Sequence, residues 1–268
     1  MIGFFDSGIG GLTVVKQVLK LLPEYKIVYL GDTARAPYGN RSHEVIYRLT
    51  QQAVEYLFER GCRLIVVACN TASAEALRMI QQQWLPHHYP DRRVLGVIRP
   101  IAETVATLSR AHVVGVVGTR ATVSSQAYIR EIKKINPTVD VVQQACPLLV
   151  PLIEEGWSKR PETNRIIRSY VRPLKQKKID TLVLGCTHYP MLLTDFRRIV
   201  GKSVKVPDPS VIVAEKLVDY LKRHLEIESK LIRGSDHEYL VTDLTDTVIS
   251  NAQRWVGQKI SLQQISLE

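Results

Sequence analysis

Leu64-Ile65-Val66-Val67-Ala68-Cys69-Asn70-Thr71 and, far downstream, Thr181-Leu182-Val183-Leu184-Gly185-Cys186-Thr187-His188 share one pattern: an apolar run, a small residue, a cysteine and a polar pair. A short continuous run of aliphatic residues, without polar alternation, is what a strand buried on both faces of a parallel sheet requires. Each cysteine is then expected where a strand ends and a helix opens. Working outward, further short apolar runs at 2–5, 27–30, 94–97, 113–117, 139–143 and 239–242 alternate with stretches of helical period such as 13–22 and 44–60. Strands alternating with helices predict an α/β fold.

These strands exceed what one compact half needs, so two sheets are expected. The start of the chain, strand then Asp6-Ser7-Gly8 then helix, is echoed from residue 113 by strand, Gly118-Thr119 and helix. That echo predicts two pseudo-symmetric domains, each a mostly parallel sheet flanked by helices. The first is expected over residues 1–96 plus 208–268, the tail after Pro207-Asp208-Pro209 returning to it through 239–242 and the amphipathic stretch 245–256. The second is expected over 97–207. Ligands of open α/β sheets bind outside the carboxyl ends of the strands, so two facing halves would bring both cysteines to one interdomain cleft.

A chain of 268 residues with 45% hydrophobic and 23% charged residues has enough apolar surface for a full core. No apolar run approaches the ~18 residues of a membrane span. The opening Met1-Ile2-Gly3-Phe4-Phe5-Asp6 meets an acid too early for a secretory signal, so a cytoplasmic protein is expected. Cys62, Cys69, Cys146 and Cys186 form no C-x-x-C pair, and free thiols are expected. The net charge of +10 attracts anions without choosing among nucleic acid, an acidic surface and a small carboxylate. Arg92-Arg93, Lys175/Lys177/Lys178 and Arg197-Arg198 carry no interleaved aromatics and read as solvated helix faces, so no nucleic-acid partner is expected.

A thiol at a helix start sees the positive end of the helix dipole, which favours thiolate relative to the free-thiol pKa of ~8.5. A lone cysteine is most simply a small buried residue. Two in matching contexts point to function, whereas Cys62 and Cys146 lack that context and read as core. Paired thiols of similar pKa suit inversion at a carbon, one acting as base on one face and the other as acid on the opposite face, with roles exchanged when the direction reverses. Asp6 and His188 are candidate proton partners for the thiols, and Glu154, in Pro147-Leu148-Leu149-Val150-Pro151-Leu152-Ile153-Glu154, is a candidate to assist His188. The competing readings are Asp6 as a helix N-cap, His188 as a structural histidine and Glu154 as a surface carboxylate.

Gly8-Ile9-Gly10-Gly11 fails the dinucleotide fingerprint, because its third glycine would fall at Thr13. Asp6 just before this turn would repel a phosphate but could hold an ammonium group, and the glycines let a ligand approach the backbone. Helix starts at Asn70-Thr71 and Thr187-His188 offer N–H groups and hydroxyls to carboxylates. Tyr38 and Gly39, in the loop 31–39, are expected at the same rim, as is Thr119 in the other half. A plain turn for the first and a helix cap for the second are the simpler alternatives.

Taken together, Phe5-Asp6-Ser7-Gly8-Ile9-Gly10-Gly11-Leu12, Tyr29-Leu30-Gly31-Asp32-Thr33-Ala34, Pro37-Tyr38-Gly39, Ala68-Cys69-Asn70-Thr71-Ala72-Ser73, Gly118-Thr119, Ala145-Cys146-Pro147 and Leu184-Gly185-Cys186-Thr187-His188-Tyr189-Pro190 resemble, in order, the glutamate racemases of the aspartate/glutamate racemase superfamily. The resemblance spans roughly residues 2–222. It implies a cytoplasmic enzyme that interconverts L- and D-glutamate with neither cofactor nor metal and supplies D-glutamate to peptidoglycan precursor synthesis. It also implies an active site between the domains, with Cys69 serving the D side and Cys186 the L side. Asp6, Glu154 and His188 would be auxiliary groups, and substrate contacts would come from Asp6, Ser7, Tyr38, Gly39, Asn70, Thr71, Thr187 and His188. A homodimer is the expected assembly. The run Gly96-Val97-Ile98-Arg99-Pro100-Ile101 departs from the family's usual pattern, where glycine or alanine follows the proline.

Other classes fit less well. An aspartate or hydantoin racemase would share the chemistry with a different substrate. A zinc protein using Cys69, Cys186 and His188 lacks an obvious fourth ligand. A nucleic-acid binder rests on charge alone, and no segment nominates the Schiff-base lysine of a pyridoxal enzyme.

Overall fold

The computed structural model describes residues 1–267, and in them the short apolar runs form β1 (Ile2–Asp6), β2 (Ile27–Gly31), β3 (Leu64–Val67), β4 (Arg93–Gly96), β5 (Val113–Gly118), β6 (Asp140–Ala145), β7 (Thr181–Gly185), β8 (Glu238–Val241) and β9 (Leu262–Gln264). They make an α/β fold with two sheets, one in the order β4-β3-β1-β2-β8-β9 and one in the order β6-β5-β7. Every pairing between these strands is parallel.

The internal echo is visible in strand order. β1 sits between β3 and β2, and β5 sits between β7 and β6, so the run β3-β1-β2 corresponds to β7-β5-β6. Asp6 and Gly118 end the two central strands, while Cys69 and Cys186 follow the two equivalent flanking strands. The larger sheet adds β4 on one edge and β8 and β9 on the other.

Helices cover both faces of the larger sheet because successive strand residues point opposite ways. Ile2, Phe4, Leu64 and Val66 join the core with the helix Leu12–Leu21, whose Leu12, Val14, Val15 and Val18 are buried. That helix packs in turn against the helices Pro209–Arg223 and Asp246–Val256. Phe5, Ile65 and Val67 face the other way, onto Ile46, Ala53, Val54, Leu57 and Phe58 of the helix His43–Glu59. Between the sheets, the helix Ile98–Leu108 packs against the helices Ala127–Ile135 and Pro209–Arg223. Ile101, where a smaller residue was expected, lies wholly inside this core.

Two sequence expectations, for Arg92 and Arg93, need correction, and β9 is a strand that no sequence expectation covered. β9 reads as polar in sequence, Leu262-Gln263-Gln264, and becomes a strand only because β8 offers it a free edge. Arg92 is not on a solvated helix face: its guanidinium stacks on the rings of Phe58 and Tyr89 and donates to the carbonyls of Phe58 and Cys62. Arg93 belongs to β4. All four cysteines are free and buried. No helix among the described residues is long and apolar enough to cross a membrane.

Asp208 caps the helix Pro209–Arg223, accepting the N–H of Ser210 at 2.9 Å, with Pro209 in the first turn where its missing N–H does no harm. Asp208→Ala is expected to lower the unfolding free energy by about 1 kcal/mol, read as a lower urea midpoint at unchanged slope.

Candidate active site

The loop after β1 is held by its own carboxylate. Asp6 is fully buried and accepts the N–H of Gly8 at 3.0 Å and the hydroxyl of Thr187 at 3.2 Å. It is not a helix cap, since the next helix begins at Leu12 behind Gly11. Tyr29 pins the loop from beneath, donating to the carbonyl of Gly8 at 2.9 Å. Thr13 shares its hydroxyl between the carbonyls of Gly10, at 2.9 Å, and Thr187, at 3.1 Å. A side chain at Gly10 would put its Cβ 2.6 Å from His188 Nδ1. The loops after β1 and β7 are therefore in direct contact, and position 10 must be glycine for that contact to form.

Cys69 caps the short helix Asn70–Glu75, its Sγ accepting the N–H of Ala72 at 3.4 Å, with Ser7 Oγ 3.3 Å away. The helix start is present, yet it does not win. Burial, reinforced by the charge of Asp6, pushes the Cys69 thiol up to about 12, against the hydrogen bonds from Ser7 and Ala72. Cys69 therefore rests as a thiol at neutral pH, which corrects the expectation from the dipole alone. Burial likewise raises the Asp6 carboxyl, against the charge of His188 and the N–H groups of Gly8 and Gly11.

Cys186 has different surroundings. β7 leads not directly into an α-helix but into a 3-10 turn, Tyr189–Leu192, and only then into the helix Leu193–Val200. The Cys186 Sγ lies 3.9 Å from His188 Nδ1, and His188 Nε2 lies 3.0 Å from Glu154 Oε1. The imidazole is buried while the Glu154 side chain is 41% exposed, so the chain of groups runs from the thiol to solvent. Trp255 meets the imidazole edge-on, ring centres 5.1 Å apart, and Asn251 holds the Glu154 carbonyl at 2.9 Å. Burial opposes a charge on His188, but its contacts with Cys186 and Glu154 outweigh burial and raise its pKa to about 10.

The rim joins the two halves again. Thr71 Oγ1 lies 2.9 Å from Thr119 Oγ1 and 3.3 Å from Thr122 Oγ1. Thr119 also caps the helix Arg120–Ser124, so it serves as cap and contact together. Gly39 packs against Thr119. Tyr38 is buried and its hydroxyl donates to Asp32, which also binds Arg35 and Thr242. Asn70 receives the hydroxyl of Tyr128 at 2.7 Å. A cavity of about 10 Å³ is lined by Ala68, Asn70, Cys186 and Thr187 together with Val14, Val97, Ile101 and Val213, and Cys69 does not line it. A cavity of about 570 Å³ lies elsewhere, against Arg78, Arg99, Arg130 and Lys216, and none of the candidate residues lines it. Among the described residues no cluster of three or more His, Cys, Asp or Glu side chains is disposed to hold a metal ion.

Sequence reasoning did not find Thr13, Asp32, Tyr128, Asn251 or Trp255. Asp32 lay within the quoted segment 29–34, but its three partners come from separate positions. The others sit in ordinary helical stretches and acquire a role only by proximity.

Residues 12–217 match the family described as Asp/Glu/Hydantoin racemase. The chain is 43% identical to the glutamate racemase of Geobacter metallireducens, over 100% of this chain and 97% of that one. Its structure is similar to that of the Francisella tularensis glutamate racemase in complex with D-glutamate, with a TM-score of 0.90, 33% identity and coverage of 100% of this chain and 97% of the other. The aspartate racemase of Picrophilus torridus shares the fold alone, at a TM-score of 0.53 and 20% identity over 82% of this chain and 94% of that one.

Because its folded pKa, about 10, lies above the ordinary 6.5, protonation of His188 stabilises the fold fully below pH 6.5, and that contribution is lost as pH rises through about 10. Glu154→Gln is expected to lower the His188 midpoint in an NMR titration. The stability difference between Glu154→Gln and the unsubstituted protein is expected to shrink across the same pH window.

Proposed function

The chain belongs to the Asp/Glu/Hydantoin racemase family and is a racemase, and from that premise we propose that it interconverts L- and D-glutamate by proton transfer between Cys69 and Cys186. The observation that carries this reading is the pair of cysteines at equivalent strand ends, one beside Asp6 and Ser7, the other beside His188 and Glu154.

In the L-to-D direction the Cys186 thiolate takes the α-proton and becomes a thiol. The electron pair left on the α-carbon delocalises into the α-carboxylate, and Cys69 gives its own proton to the opposite face, leaving a Cys69 thiolate. The resting state of Cys69 suits this step, since it holds its proton at neutral pH. An imidazolium at His188 attracts negative charge on the neighbouring sulfur and passes protons toward Glu154. In the reverse direction Asp6 is the buried carboxyl with which Cys69 exchanges its proton. N–H and hydroxyl groups of Asn70, Thr71, Thr187 and His188 hold the two carboxylates of the substrate, and such preorganised donors act most strongly in a buried site. Ser7, Gly39 and Thr119 complete the contacts. Tyr38 contributes through its backbone, because its hydroxyl is held by Asp32.

Glutamate is preferred to aspartate because the full-length relative at 43% identity is a glutamate racemase. On this reading the enzyme works in the cytoplasm as a homodimer without cofactor or metal, and its D-glutamate supplies peptidoglycan precursor synthesis. Residues 1–96 with 208–268, and residues 97–207, are its two halves.

The purified protein, incubated without cofactor with L- or D-glutamate in deuterium oxide, is expected to exchange the α-hydrogen and lose circular dichroism from either side. Cys69→Ser and Cys186→Ser should each keep the fold and lose racemisation by about 10²–10⁴-fold, since a hydroxyl is a far poorer base. Exchange with aspartate but not glutamate would move the substrate and leave the mechanism in place. Full activity in either variant overturns the two-thiol scheme.

A further inference from the structure

Tyr128 begins the helix Ala127–Ile135 in one half of the molecule, yet its hydroxyl reaches Asn70 in the other. The phenol is completely buried and donates to Asn70 Oδ1 at 2.7 Å. Its ring lies against Gly185, the residue before Cys186, so closely that a Cβ at position 185 would come within 3.0 Å of Tyr128 Cε2. One rigid side chain therefore touches the backbone just before one cysteine and the side chain just after the other.

The hydrogen bond also settles the orientation of an amide. A primary amide carries its acceptor and its donors on opposite sides. With Oδ1 engaged by the phenol, the Nδ2 hydrogens of Asn70 are directed away from Tyr128. Without that bond the amide gains rotational freedom about its last torsion, where the two flipped states are close in energy. Burial, and then the charge of Cys186, push the Tyr128 phenol well above its ordinary range, so it keeps its proton and stays a donor wherever the enzyme works.

We propose that Tyr128 is a positioning residue that fixes the Asn70 amide with its N–H groups presented to a carboxylate of the substrate. This rests on the reading of the site given above, in which Asn70 contacts glutamate. Asn70 holds the substrate in the ground state and the transition state alike, so the loss belongs to binding rather than to proton transfer.

Tyr128→Phe keeps the ring against Gly185 and removes only the hydroxyl. It is expected to raise KM for L- and D-glutamate about tenfold, the worth of one buried hydrogen bond, with kcat changed less than twofold. The rise should be equal for both enantiomers, because their equilibrium constant is one. Asn70→Ala should raise KM with kcat similarly retained, and adding Tyr128→Phe to it should change KM no further, because the phenol acts through the amide. A purely structural phenol would instead lower the melting temperature and the active fraction and leave KM alone. An unchanged KM in Tyr128→Phe, or effects that multiply in the double variant, overturns the proposal. Should Tyr128→Phe not fold, loss of kcat rather than a rise in KM in Asn70→Ala overturns it equally. If the unsubstituted enzyme racemises glutamate and KM is indifferent to position 128, this inference alone fails. If it does not racemise glutamate, the underlying reading fails with it.

Discussion

Two chain segments that end strands of separate sheets lie flat against one another at Gly10, and the site depends on that contact. Asp6, at the end of β1, accepts a hydrogen bond from Thr187, just beyond β7, and Thr13 donates to the carbonyl of the same residue. A methyl group at position 10 would strike the His188 ring. Interiors are packed densely enough that such a methyl could not be absorbed by small adjustments. The second seam, Thr71 with Thr119 and Thr122, and the Tyr128–Asn70 bond close the opposite side. The two halves therefore meet at these loops through polar groups beside the two cysteines, while behind them one apolar core runs continuously from sheet to sheet.

The two cysteines occupy equivalent places in the topology but not equivalent electrostatic surroundings. Cys69 is enclosed, and neither the N–H of Ala72 nor the hydroxyl of Ser7 offsets the loss of water and the nearby Asp6 charge. Cys186 instead faces an imidazole backed by a half-exposed carboxylate. A reaction whose two directions are energetically equal does not need identical acids and bases. Burial and the Asp6 charge hold the proton on Cys69, whereas the group beside Cys186 is an imidazole whose own pKa is raised to about 10. Trp255 and Asn251, from a helix near the end of the chain, fix the imidazole and the backbone of Glu154, so the tail takes part in the electrostatics of a site built mostly from earlier residues.

Much of the fold was legible because its strands are buried on both faces. Runs such as 64–67 and 182–184 hold no polar residue, and their edges are marked by glycine, cysteine or a polar pair, so strand positions followed to within a residue or two. β9 was not legible, since its polar sequence pairs only because β8 leaves an edge open. The dipole argument for Cys69 misjudged its charge because sequence reports the helix start but not the depth of burial, and burial is the larger effect here. Arg92 misled for a similar reason, its aromatic partners lying at Phe58, distant in sequence, and Tyr89.

By itself the sequence determined the α/β class and the duplicated strand-loop pattern and nominated the candidate site residues, because these follow from residue type and short-range spacing. Only the tertiary structure decided which of those groups touch, that Cys69 keeps its proton, and which silent residues support them. Tyr128, Thr13 and Asn251 lie in unremarkable helices, and nothing local distinguishes them from other polar positions. Their roles arise from contacts between segments more than fifty residues apart, and both hydrogen bonding and desolvation depend on distances that chain order does not encode.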